Sequence, residues 1–200
     1  MSVSKLAWLA VLGSCLAACS NDSVSSDEQA KQAYLGLDPS IGKSITLGFA
    51  GFNTASSANI SAQTAAGDVG GTLTITGQVD RGQSANKNMR LYVGMAAYTD
   101  GLQTADDQSV AIAYATSTDP TMQPYLAMML MGIPTGSVTG TLTGVYEMTG
   151  DLVGEVTLNL AFSGTLEAGP NNTVVRTVGT TTVMGTAASN GGTYTVMVTL

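Results

Sequence analysis

Histidine is absent from all 200 residues. Its absence removes Ser-His-Asp and Cys-His nucleophile pairs and any imidazole metal site. Tryptophan occurs once and phenylalanine three times, too few for the two aromatic girdles of a membrane-spanning β-barrel. Positive charge is also scarce. Seven Lys and Arg against 14 Asp and Glu give a formal charge of −7 and an isoelectric point near 4.2, whereas nucleic-acid binding needs clustered basic side chains. Charged residues are only 10% of the chain and hydrophobic ones 44%, which separates it from acidic disordered segments. Thr (27 residues) and Gly (24) are abundant instead, a composition of strands and turns rather than helices.

The first 19 residues carry the sharpest local signal. Lys5 precedes a short apolar run, Leu6 to Leu12, and Leu16-Ala17-Ala18-Cys19 follows. The run falls well short of the ~20 residues a permanent spanning helix needs and reads as the apolar core of a secretory leader. Leu16-Ala17-Ala18-Cys19 resembles the lipobox of bacterial lipoproteins. The resemblance covers the leader alone. It implies that Cys19 is diacylated on sulfur, that the peptide bond before it is cut, and that the new N-terminus is acylated. Ser20, where Asp would favour inner-membrane retention, implies the outer membrane. Cys15 fits less well, because Val11-Leu12-Gly13-Ser14 precedes it. Cleavage before Cys19 removes Lys5, the only Trp (Trp8) and Cys15. The remaining cysteine then carries lipid, with neither a free thiol nor an intrachain disulfide left. Two or three acyl chains anchor stably where one does not.

This divides the chain into a signal peptide at 1–18, a lipidated flexible tether at 19–44 and an all-β domain at 45–200. Residues 20–44 are small and polar, with a short helical turn at Asp27 to Leu35 and a turn at Asp38-Pro39-Ser40. The domain is long enough for one core. Within it, apolar residues recur with period 2 at Thr72 to Val79, Met89 to Tyr98, Val156 to Leu166 and Tyr194 to Leu200, with Thr on the opposite face in all but Met89 to Tyr98. Strict alternation means one dry and one wet face, hence antiparallel sheet. Weaker strands are expected at Ile45 to Phe49, Val110 to Thr116, Val138 to Met148 and Val174 to Met184, with turns where Gly, Asn and Asp cluster. The expected fold is a single antiparallel β-sandwich or β-barrel of about nine or ten strands after a disordered N-terminal tether.

The segment from Met122 to Pro134 breaks the alternation. It is apolar on both faces and bounded by prolines. It reads either as a buried crossover that closes the core or as a contact loop for a hydrophobic ligand or partner, through Tyr125, Leu126, Met128, Met129, Leu130 and Met131. Thioethers at Met129 and Met131 suit Cu(I), but no His or Cys assists them. Asp100, Asp106 and Asp107 in one loop, and Glu147, Asp151 and Glu155 around one hairpin, lack the spacing of a Ca²⁺ loop and read as solvated turn residues. Glu147 and Glu155 also have the chemistry of a glycosidase pair, without aromatic walls for a sugar. Ser-x-x-Lys at Ser40–Lys43 and Ser84–Lys87 is unspecific in a Ser-rich chain. The expected function is a non-enzymatic, lipid-anchored envelope module, structural or binding. Its membrane contact is through Cys19, and it has no catalytic residue, metal, cofactor or nucleic-acid partner. The alternative is a carrier whose β-barrel holds a lipid or other hydrophobic ligand behind a gate at 122–134.

Overall fold

The computed structural model describes residues 23–105 and 108–200. Two helices lead the domain, α1 (Asp27–Leu35) and α2 (Asp38–Thr54). Strands follow: β1 (Asn59–Ala66), β2 (Gly70–Val79), β3 (Lys87–Thr99), β4 (Gln103–Ala105), β5 (Gln108–Val110) and β6 (Ile112–Ala115). After a single helical turn at Pro120–Met122 come β7 (Tyr125–Met131), β8 (Gly136–Gly150), β9 (Gly154–Ala168), β10 (Val174–Arg176), β11 (Thr182–Ser189) and β12 (Gly192–Thr199). Ten of these strands form one antiparallel sheet, and β4–β5 is a separate hairpin.

The sheet is an up-and-down meander. β1, β2 and β3 run in order. β6 and β7 then share the next row, both pairing with β3 and with β8. β8 and β9 form the longest ladder. β10 and β11 likewise share a row beside β9, and β12 is the far edge. Period-2 burial runs through the long strands, as the alternation of Thr with Leu, Val and Ile predicts. In β9, Val156, Leu158, Leu160, Phe162 and Leu166 face in, while Thr157, Asn159, Ser163 and Thr165 face out.

The structure departs from the sequence expectation at three points near the start of the domain. The tether assigned to 19–44 is folded from Ser23 onward, and Ile45 to Phe49 is helix rather than strand. The span 24–45 buries Val24, Ala30, Ala33, Tyr34, Leu35, Leu37, Ile41 and Ile45. α1 starts where the Ser26 hydroxyl accepts from the Gln29 amide at 3.2 Å. Asp38-Pro39 opens α2 rather than a turn, because Pro fits the first helical turn, where its missing N–H costs nothing. The apolar positions of α2 (Ile41, Ile45 and Gly48) recur at three and four residues and form one buried face. Close approach depends on two glycines. A Cβ at Gly48 would lie 2.8 Å from Met89 Sδ, and one at Gly51 would lie 2.9 Å from Ile60 Cβ.

The helices join the two edges of the sheet. α2 packs on β1 and β2 and also reaches β10, while α1 packs on β12 and β11. The core lies between the helices and the inward face of the sheet. The Tyr114 hydroxyl of β6 donates to the Ala33 carbonyl of α1 at 3.0 Å, and edge strand β12 has its Thr195 N–H taken by the Asp27 carboxylate at 2.7 Å. Such pairing covers an edge that would otherwise offer free backbone groups.

Candidate functional site

The six residues singled out between 122 and 134 lie in β7, an internal strand hydrogen-bonded to β3 on one side and β8 on the other. As a strand in line with its neighbours it is not a crossover, and swinging it out as a gate would break two ladders. Leu126, Met128 and Leu130 are buried. Tyr125, Met129 and Met131 point outward, and both methionines are 46% exposed. The double apolarity of the segment thus divides into a core face and a surface face. Tyr125 meets Tyr92 of β3, with ring centroids 5.3 Å apart. Their contact makes an aromatic pair at the edge of the outward face.

From β7 to β12 this outward face carries no charge over most of its height. One row across it, in register, reads Ala127, Thr141, Ala161, Met184, Met197. The next reads Tyr125, Thr143, Asn159, Thr186, Thr195. Met184 and Met197 are exposed with Met129 and Met131. Hydroxyls and thioethers make a neutral, adaptable surface. The alternation of Thr showed that these positions face solvent. The two-dimensional rows needed the register.

The buried polar groups tie helices to sheet. The Asp100 carboxylate accepts from the Tyr98 hydroxyl, the Lys43 ammonium and the Asp68 amide (2.9 Å). Lys43 also reaches Asp68 at 2.8 Å. Burial works against the Lys43 charge, but its hydrogen bonds to Asp100 and Asp68 outweigh that and hold the amine above its ordinary pKa. In the second cluster, Arg176 of β10 grips Asp38 with two hydrogen bonds of 2.8 Å and donates to the Asp38 carbonyl at 3.0 Å. The Tyr34 hydroxyl donates to the same carboxylate at 2.5 Å. Burial, reinforced by Asp38, pushes the Tyr34 phenol well above its ordinary value. Each carboxylate accepts three hydrogen bonds from partners in this chain, so they act as staples between α1, α2 and the sheet. Sequence reasoning missed both clusters; Asp38 and Arg176, for instance, lie 138 residues apart.

The other sequence candidates separate. The Ser40 hydroxyl donates to the Leu37 carbonyl at 2.6 Å, while Lys43 serves Asp100. The Ser84 hydroxyl accepts from the Asn86 amide, and Lys87 donates to the Gly82 carbonyl at 2.7 Å. Neither Ser-x-x-Lys makes a nucleophile–base pair. Glu147 and Glu155 are direct cross-strand neighbours on the outward face, a like-charge pairing that costs stability. Asp151 instead accepts from the Ala111 amide at 2.7 Å. Asp106 and Asp107 lie outside the described residues, and among the described residues no three acidic, Cys or His side chains gather as a metal site would need. Met129 and Met131 sit two apart on one face of a strand, about 6.6 Å along it.

Cys19 also lies outside the described residues. The first described residues lie at one end of the sheet. Ser23 sits beside Gly154 at the β8–β9 turn, and the buried Val24 offers its carbonyl to the Ser189 hydroxyl beside the β11–β12 turn. No family model, characterised protein or solved structure matches the chain.

Proposed function

We propose that the chain is a lipid-anchored protein of the bacterial envelope, held by acyl chains on Cys19 and acting as a non-enzymatic binding or structural module. The observation that carries this is the Leu16-Ala17-Ala18-Cys19 lipobox after a short apolar run. Ser23 already belongs to the described fold, so at most four residue steps, about 14 Å of extended chain, separate the lipid from it. Ser20 favours the outer membrane as the site of anchoring. The neutral outward face around Tyr125, Met129 and Met131 is the partner contact in this reading. The module is preferred over an interior carrier because Tyr34, Ile41, Ile45 and Tyr114 fill the space on the helix side of the sheet.

The test is expression of the full chain in a bacterium, followed by fractionation and intact-mass measurement. The expected product sits in the membrane fraction, begins at Cys19 and is heavier than its polypeptide by a diacylglyceryl group and an acyl chain. Cys19→Ala is expected to leave the membrane fraction or to retain the leader. A wild-type product with an unmodified Cys19 thiol would overturn the proposal.

A further inference from the structure

At one end of the sheet, the β7–β8 turn (132–135) and the β9–β10 turn (169–173) stand beside the outer side of α2 and enclose a groove of about 600 Å³. Phe49 of α2, Ile133, Pro134 and Val174 form its apolar walls. Asn53, Asn171 and Asn172 bring carboxamides to it, and no charged side chain lines it. Asn171 and Asn172 hold φ of 57° and 58°, the left-handed region that asparagine enters more readily than most residues. The Thr173 hydroxyl donates to the Pro170 carbonyl at 2.7 Å and fixes that turn. Among the described residues none of the three carboxamides has a hydrogen-bond partner. The groove therefore combines a dry wall with three free donor–acceptor groups, the composition of a small-molecule site.

We infer that this groove binds an uncharged amphiphile: an apolar body of about one ring, bearing an amide or hydroxyl group. An anion would meet no Lys or Arg there, and it would approach a chain of net charge −7. A cation would meet no carboxylate. Either would lose hydration against Phe49 and Val174 without an ionic partner, which is costly. A neutral amide or hydroxyl exchanges its water for the Asn carboxamides at little loss. The chain enters the fold at the opposite end of the strands, beside the β8–β9 and β11–β12 turns. On the anchoring reading above, the groove therefore opens away from the bilayer.

Three probes share a phenyl ring and differ in charge: acetanilide (neutral), phenylacetate (anionic) and phenethylamine (cationic). Each is titrated into the isotope-labelled full chain in detergent, and amide shifts are followed by NMR. Acetanilide is expected to move the side-chain signals of Asn53, Asn171 and Asn172 along a saturable curve, with affinity at least about tenfold above either charged probe. Ala50→Trp, on the exposed side of α2, fills the groove and is expected to abolish those shifts while leaving the rest of the spectrum in place. Absence of saturable shifts at these residues would overturn the inference, as would equal binding of a charged probe or survival of the shifts in Ala50→Trp. The measurement does not depend on lipid at Cys19, so binding by a chain whose Cys19 proves unmodified sinks the anchoring proposal alone.

Discussion

Arg176 shows how one side chain carries tertiary structure. Its side chain is 12% exposed, it holds Asp38 at two points, and it joins the far end of the sheet to the start of α2. Removing one member of a buried pair leaves the other charged and unmatched, which costs about 3–5 kcal/mol. Arg176→Ala is therefore expected to lower the urea midpoint sharply, with unfolding free energy reduced by about 3 kcal/mol. Arg90 and Asp80 make an ion pair of nearly the same length, 2.9 Å, but their side chains are 39% and 36% exposed. Water and salt screen such a pair, so Arg90→Ala is expected to cost less than about 1 kcal/mol. Equal losses from the two variants, in parallel urea titrations, would refute the view that Arg176 is a staple. Neither pairing was legible in the sequence. An acidic residue at 38 and a basic one at 176 have no local pattern that joins them, and only the meander brings β10 back to α2.

The elements divide by how local their signals are. β2, β3, β9 and β12 were legible because period 2 over seven or more residues has no helical counterpart. β1 (Asn59–Ala66) was not: it is an edge strand with only Ile60 buried, so no alternation is required of it. Strand Val174 to Met184 was read as one piece, yet it breaks into β10 and β11 at Thr177 to Thr181, where both parts still pair with β9. α2 was the largest miss. It contains glycines at 42, 48 and 51 and β-branched residues at 41, 45, 46 and 54, all poor helix formers, so the helix depends on packing rather than propensity. The groove was hidden for the same reason, since one wall of it is α2. The glycines give a paired test. Gly42 has nothing within 4 Å of an added Cβ, and Gly42→Ala is expected to stabilise by about 0.5–1 kcal/mol. Gly51→Ala gains the same propensity but drives its Cβ to 2.9 Å from Ile60 Cβ, a branched atom that cannot swing aside. It is expected to destabilise by about 1–3 kcal/mol. Thermal melts of the two variants should move in opposite directions, and a rise in both would mean that α2 does not seat on β1 as described.

The whole molecule has one core, and its largest fully buried side chains are four tyrosines: Tyr34 on α1, Tyr98 on β3, Tyr114 on β6 and Tyr146 on β8. Burial pushes all four phenols above the ordinary value. The Asp38 charge adds to it at Tyr34, the hydrogen bond to Asp100 at Tyr98, and the neighbouring Tyr146 at Tyr114. A folded-state pKa above the unfolded one has a definite sign. Below pH about 10 both states hold the phenolic proton, and the contribution to stability is complete. Above it the unfolded chain releases protons that the folded chain keeps, so stability falls by about 1.4 kcal/mol per pH unit for each phenol. Four phenols acting together lose about 5 kcal/mol per unit, and a domain of ordinary stability, about 5–15 kcal/mol, is exhausted within about three units. Lys43, also held above its ordinary value, adds to the loss in the same direction. The protein is thus expected to unfold cooperatively in alkali, with near-ultraviolet phenolate absorbance for these four tyrosines rising in the same step as the loss of β-sheet circular dichroism. Tyr146→Phe keeps the ring in place and removes one titrating group, so the slope of stability against pH should fall by about 1.4 kcal/mol per unit. If the four phenols ionise gradually while the sheet signal persists, the core between helices and sheet is open to water. The account of α1 and α2 as its cover would then fail with it.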